Sequence, residues 1–228
     1  GWEMPVQYDG PAKGGILKSH LHTREKAGLF DVSLQQFQSM HEAMATVVAE
    51  HHLAPEAILD LASGHGEPAV TLAKRLPRAT VVASDASSEE RERATERIAR
   101  LGLQQRVSVE PIDLKDLHVF AQLEGAEELP SVDVITCALG LFMLPPAQHE
   151  ACLSGIRAIL KPGGLLVATV WDDMALLGLG GASIGAALGT PAPALPYDPN
   201  SLGLGRADAT LRAAGLSPEV GAHNALDV

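Results

Sequence analysis

The 228 residues are enough for one α/β domain, and no internal repeat or compositional break marks a second core. A formal net charge of -11 disfavours nucleic acid, whose phosphates call for a clustered basic surface. No apolar run reaches the roughly 18 residues of a membrane span, and the first residues lack a basic stretch followed by an apolar one, so a soluble, cytosolic protein is expected.

Residues 1–32 scatter Gly, Pro and His without a period and read as an irregular arm. Over 33–53, Leu34, Phe37, Met40, Met44, Val47 and Val48 follow helical spacing, and Pro55 closes the run. A strand is expected at 57–61, followed by the turn Gly64-His65-Gly66 and a helix over 67–76. The unit recurs with a strand at 80–84 and a helix from Ser87 to Leu101. Ser87 and Glu90 suit a capping box there, and Gly102 suits the stop. Arg91, Arg93, Arg97 and Arg100 alternate with Glu on that helix and read as a solvated face. Strands at 106–110 and 132–136, a helix at 146–160, a turn at 161–164 and a strand at 165–171 complete the alternation. Such alternation means a doubly wound, mostly parallel α/β sheet. Residues 174–200 turn rich in Gly, Ala and Pro, a composition that suits a lid or substrate loop. A short helix to Ala214 and a strand near 218–222 end the chain, which is read as a single domain over 1–228.

The chemistry gathers at strand ends. Asp60 closes the first strand, and Gly64 and Gly66 open the next helix, so a ligand can lie against bare backbone. The spacing Gly64-x-Gly66-x-x-Ala69, with Asp85 downstream, also fits a dinucleotide-binding turn, which would make the protein a nicotinamide-dependent oxidoreductase. A pyrophosphate at that helix start would be repelled by Asp60, whereas an ammonium or a sulfonium would be favoured by it. The acid therefore points to a positively charged sulfur cofactor. Asp85 could instead cap the following helix, and Asp113 could be a turn acid. Cys137 and Cys152, in apolar segments, read as buried small side chains. His65 reads as a tolerated loop residue, and His51 and His52 suit a helix end.

In this order the segments resemble those of the class I S-adenosylmethionine-dependent methyltransferases, particularly the ubiquinone/menaquinone-biosynthesis-like branch, over roughly residues 35–222. Residues 58–68 resemble the family's first motif, 132–139 its fourth strand, and Ile159-Leu160-Lys161-Pro162-Gly163-Gly164 the turn before its fifth. The resemblance implies a Rossmann-like sheet and S-adenosylmethionine as cofactor. It implies a binding set of Asp60, Ala62, Ser63, Gly64, Gly66, Asp85, Ala86, Asp113, Leu114 and Ala138. Within that set Asp85 would bind the ribose hydroxyls, Asp113 would read the adenine amino group, and Ala138 would floor the methionine moiety. The reaction implied is in-line methyl transfer to a small-molecule acceptor. A hydroxyl or acidic carbon acceptor would also need a general base; His20, His22, His149 and Tyr197 are candidates by position, and none is assigned. The family's sheet usually closes with an antiparallel seventh strand. The chain stops soon after the sixth, so that strand is expected to be missing, and a homo-oligomer or a partner could complete the edge. A catalytically silent cofactor-binding subunit is the remaining alternative.

Other chemistries lack their residues. His41-Glu42-Ala43-Met44-Ala45 has no second histidine for a zinc-protease helix, and no Gly-x-Ser-x-Gly elbow is present. Pro145-Pro146 lacks the polar and aromatic flanks of nucleic-acid amino methyltransferases. Asp172-Asp173 follows the fifth strand, but Cys137 stands where catechol methyltransferases place a second acid, so no metal site is expected. Arsenite methyltransferases use more cysteines than two.

Overall fold

The computed structural model describes residues 28–51, 54–122, 131–171, 189, 197–198, 200–203 and 206–218. The architecture below is that of His41–His223, which form one compact unit. His20, His22, Asp172, Asp173, residues 219–222 of the expected sixth strand and most of 174–200 lie outside the described residues.

Helix α1 (Gly28–His51) begins earlier than the sequence suggested, so residues 28–32 of the expected arm are helical. Its inward stripe in the compact unit is His41, Met44, Ala45 and Val48, all buried at spacings of three and four. Five strands follow: β1 (Ala57–Leu61), β2 (Thr80–Ser84), β3 (Val107–Glu110), β4 (Val132–Ala138) and β5 (Leu160–Thr169). They lie in the order β3-β2-β1-β4-β5 with every pairing parallel. The mostly parallel, doubly wound sheet inferred from sequence is therefore present. Because β2 lies on one side of β1 and β4 on the other, winding reverses between β1 and β4, and the crevice at their carboxyl ends is where such sheets bind ligands.

The helices between strands are α2 (Ala69–Arg75), α3 (Ser88–Arg100), α4 (His118–Gln122) and α5 (Pro146–Ile159), and α6 (Arg206–Ala213) follows β5. On α3 the Ser87 hydroxyl accepts from Glu90 N at 3.3 Å, one half of the expected capping box, while Ser87 N donates to Asp85 Oδ1 and not to Glu90. At the other end Leu103 N donates to Ile98 O and Gly102 N to Ala99 O, a Schellman stop that needs the left-handed φ of 69° at Gly102.

Several boundaries differ from expectation. Helix α2 starts at Ala69, leaving Glu67 and Pro68 in the turn. The stretch Lys161-Pro162-Gly163-Gly164 is not a free turn: β5 already pairs at Leu160 with Val132, bulges, and resumes at Leu165 opposite Val134. Strand β5 then ends at Thr169 instead of Trp171.

Two apolar layers sandwich the sheet. One joins Met44, Val48, Val70, Leu72, Val81, Ile98 and Val107. The other joins Leu61, Leu117, Ile135, Cys137, Leu153 and Ile156. Across the sheet plane Asp133 fixes the start of β1 to β4, accepting from Glu56 N and Ala57 N at 2.9 Å each, while Lys161 Nζ donates to its other oxygen at 2.7 Å.

Candidate functional site

The turn after β1 is shaped by backbone angles that most side chains avoid. Ala62 and Gly64 both have φ of 52°, and Gly66 has 98°. A turn so wound exposes amides rather than side chains, and three carboxylates hold it.

Asp60, fully buried, holds it from below. Its Oδ2 accepts from Ala69 N at 3.0 Å, and its Oδ1 accepts from the Thr136 hydroxyl of β4 at 2.6 Å. Burial pushes its pKa up to about 8 against these two donors. Asp60 therefore does not stand open beside a ligand; it joins β1, β4 and the start of α2 under the turn.

Asp85 holds the turn from the side. At the end of β2 its Oδ2 accepts from Gly64 N at 3.0 Å, and its Oδ1 accepts from Ser87 N at 2.9 Å. Helix positioning and contact with the turn thus coexist in one side chain. Ser63 N donates to Ser84 O at 2.8 Å, a second tie between the same two elements. The carbonyls of Asp85 and exposed Ala86 both accept from Arg91 Nη1 at 2.8 Å.

Glu67, which sequence reasoning passed over, is the third. Its Oε2 accepts from Thr71 N at 3.1 Å, and its Oε1 is paired with Arg97 of α3. Arg97 is thus mostly buried, unlike the solvated face expected of the α3 arginines; Arg93, bridged to Glu89 and Glu90, fits that expectation better. A signal for Arg97 existed, since it adjoins the buried positions Ala94 and Ile98 on the helix. Glu90, read from the sequence only as part of a cap, also reaches the turn: its Oε2 lies 3.7 Å from where a Gly64 Cβ would stand.

The other predicted residues sit around this centre. Ala62 touches the turn after β4, where a Cβ on Gly140 would come within 2.7 Å of both Ala62 Cβ and Cys137 Sγ and within 3.5 Å of Leu114 Cδ1. Leu114 is buried beneath that junction, and Ala138 ends β4 half-buried. Asp113 caps a single 3-10 turn, its Oδ1 accepting from Lys115 N at 3.0 Å. Among the described residues its Oδ2 carries no hydrogen bond.

Of the candidate bases, His149 is buried, its pKa lowered by that burial, and its Nε2 donates to Leu144 O at 3.0 Å. A ring so committed anchors the turn after β4 and is closed to a substrate proton. Tyr197 meets Phe142 of that turn edge-on at 5.7 Å, bringing part of the 174–200 segment to the carboxyl edge. Cys137 and Cys152 are both buried; desolvation raises both thiols, Cys152 to about 12, so neither is a nucleophile at neutral pH. Among the described residues no three His, Cys, Asp or Glu side chains form a metal cluster, and no helix is long and apolar enough to cross a membrane.

Residues 58–164 match the methyltransferase domain family, from the middle of β1 to the glycines of β5. The chain resembles an O-methyltransferase family protein from Burkholderia thailandensis with a TM-score of 0.59 at 21% identity, over 88% of this chain and 57% of that one. It resembles the mitomycin 7-O-methyltransferase with a TM-score of 0.53 at 16% identity, over 86% of this chain and 54% of the other. At these identities the likeness speaks for the fold, and the chain spans little more than half of either protein. A stretch of 33 residues, 14% of the chain, is 67% identical to the mitochondrial aminomethyltransferase of Dictyostelium discoideum, of which it covers 7%. Residues 58–164 thus match the methyltransferase domain family, and the described strands form the Rossmann-like parallel sheet seen in these structural neighbours.

Proposed function

We propose that the chain binds S-adenosylmethionine at the carboxyl ends of β1, β2 and β3 and transfers its methyl group to a small molecule. One observation carries this reading against the nicotinamide alternative. The Gly64 amide, which a dinucleotide turn would aim at a pyrophosphate, is already taken by the Asp85 carboxylate, and the Glu90 carboxylate lies close by. A diphosphate there would face two negative groups; an ammonium or sulfonium would be attracted by them.

The residues present suit that cofactor. Ser63 is buried and its hydroxyl has no partner among the described residues, leaving hydrogen-bonding capacity within the turn. Asp85 and Asp113, at successive strand ends, would hold the ribose hydroxyls and the adenine amino group, with Gly64, Gly66 and Ala62 against the amino-acid part and Ala86, Leu114 and Ala138 around it. When bound, the cofactor supplies an electrophilic methyl on a sulfonium. The chain's part is to orient the acceptor in line with that methyl and to exclude water. The turn Leu141–Met143 and Tyr197 stand where they could do so. With His149 committed to Leu144, Tyr197 is the remaining described candidate for a base. The ubiquinone/menaquinone-biosynthesis-like branch is a finer reading, supported by the motif at 159–164.

Titration calorimetry with S-adenosylhomocysteine and with NAD tests the reading. Micromolar binding of the first and none of the second is expected; the reverse discards it. Transfer of a labelled methyl into a small-molecule extract then separates an enzyme from a silent subunit.

A further inference from the structure

We propose that the buried Glu67–Arg97 ion pair is a positioning device that sets the glycine turn against Asp85, and is not there for net stability. The inference rests on the cofactor reading above and names residues that reading does not use.

Glu67 is 2% exposed and Arg97 15% as side chains. Taking two charges out of water costs nearly what their attraction returns, so apolar residues of similar volume would serve stability about as well. What they cannot supply is a directional link of fixed length. Glu67 provides two such links at once, to Arg97 on α3 through Oε1 and to the first turn of α2 through Oε2. Helix α3 is also the element that Asp85 starts, since Asp85 Oδ1 accepts from Ser87 N. The pair therefore ties the far end of the turn to the helix whose near end carries the Gly64 contact.

Two further observations agree. The turn has three residues at positive φ within five positions, a conformation that local preference does not hold by itself. And Arg97 Nη1 is buried with no partner among the described residues, which is a poor design for stability and tolerable only if geometry is what the pair is kept for. His41 and His65 lie near the pair, and burial holds both below the ordinary histidine pKa, while Glu67 and Arg97 pull them in opposite directions.

The test compares wild type, the double variant Glu67→Met/Arg97→Met, the single variant Arg97→Lys, and Arg212→Met as a control from the exposed Arg212–Asp208 pair on α6. Melting temperature and S-adenosylhomocysteine affinity are read on the same preparations. The double variant is expected to melt near wild type yet bind about tenfold more weakly, Arg97→Lys to recover part of that loss, and the control to bind normally. A folded double variant with wild-type affinity overturns the proposal. If the double variant does not fold, Arg97→Lys decides: weaker binding at an unchanged melting temperature supports the proposal, and unchanged binding overturns it. A wild-type chain that binds no S-adenosylhomocysteine removes the cofactor reading itself and this inference with it.

Discussion

Asp85 and Gly64, 21 residues apart, are joined by a 3.0 Å hydrogen bond from the glycine amide to the aspartate carboxylate, so the end of β2 fixes the turn that leaves β1. Replacing Asp85 by Ala removes the acceptor and the charge together. Hydrogen bonds to a charged group contribute about 1.5–3 kcal/mol, so S-adenosylhomocysteine affinity is expected to fall about 10- to 100-fold. Asp85→Asn keeps an acceptor oxygen and is expected to lose less. Calorimetry on the two variants checks the order.

Gly140 and Gly163 separate crowding from backbone strain. A Cβ at Gly140 would stand 2.7 Å from Ala62 Cβ and Cys137 Sγ, while at Gly163, with φ of 77°, it would meet nothing within 4 Å. Gly140→Ala is expected to cost about 1–3 kcal/mol through overpacking and to weaken cofactor binding by displacing Ala62. Gly163→Ala is expected to cost only about 1–2 kcal/mol of left-handed strain and to leave binding unchanged. Thermal melts and titrations on both variants decide; equal loss of binding would contradict the placement of Ala62 at the site.

Stability should respond to pH in opposite senses at two buried places. His41 and His65 are held below the ordinary value of 6.5, chiefly by burial, so their contribution is present above 6.5 and is lost as pH falls through their folded values. Asp60 is raised from 3.8 to about 8, so its contribution is full below 3.8, declines as pH rises, and levels off above about 8. Asp133 behaves as a paired acid: lowered from 3.8 to about 2, it stabilises above 3.8 and loses that contribution as pH falls through about 2. Difference curves of chemical denaturation, wild type against His41→Gln and against Asp60→Asn, are expected to slope with opposite sign between pH 4 and 7. Parallel slopes would contradict the burial of one or the other.

The sheet was legible because each strand is a short apolar run with a turn or cap behind it, and because parallel strands put Asp60, Asp85 and Asp113 at one edge by their spacing alone. The stop at Gly102 and the cap at Ser87 were legible for the same local reason. Long-range pairing was not. Glu67 and Arg97 are 30 residues apart, and on the sequence Arg97 looks like its neighbours on α3; only the helix packing distinguishes it. The charge logic at Asp60 was half legible: the acid is where the spacing put it, but burial and its bonds to Thr136 and Ala69 turn it away from the turn's surface, and Asp85 and Glu90 are the carboxylates beside Gly64. The motif at 161–164 was read as a turn because Pro and Gly usually make one, and its pairing through a bulge with β4 leaves no mark in the sequence.

The most direct measurement is a crystal structure of the chain grown with S-adenosylhomocysteine. It should show the ribose hydroxyls on the Asp85 carboxylate, the adenine beside Asp113 and the amino-acid end over Gly64, with the Asp60–Thr136 bond intact beneath. An occupied ligand elsewhere on the chain, or a bound nucleotide whose phosphates displace Asp85 from the Gly64 amide, would contradict it.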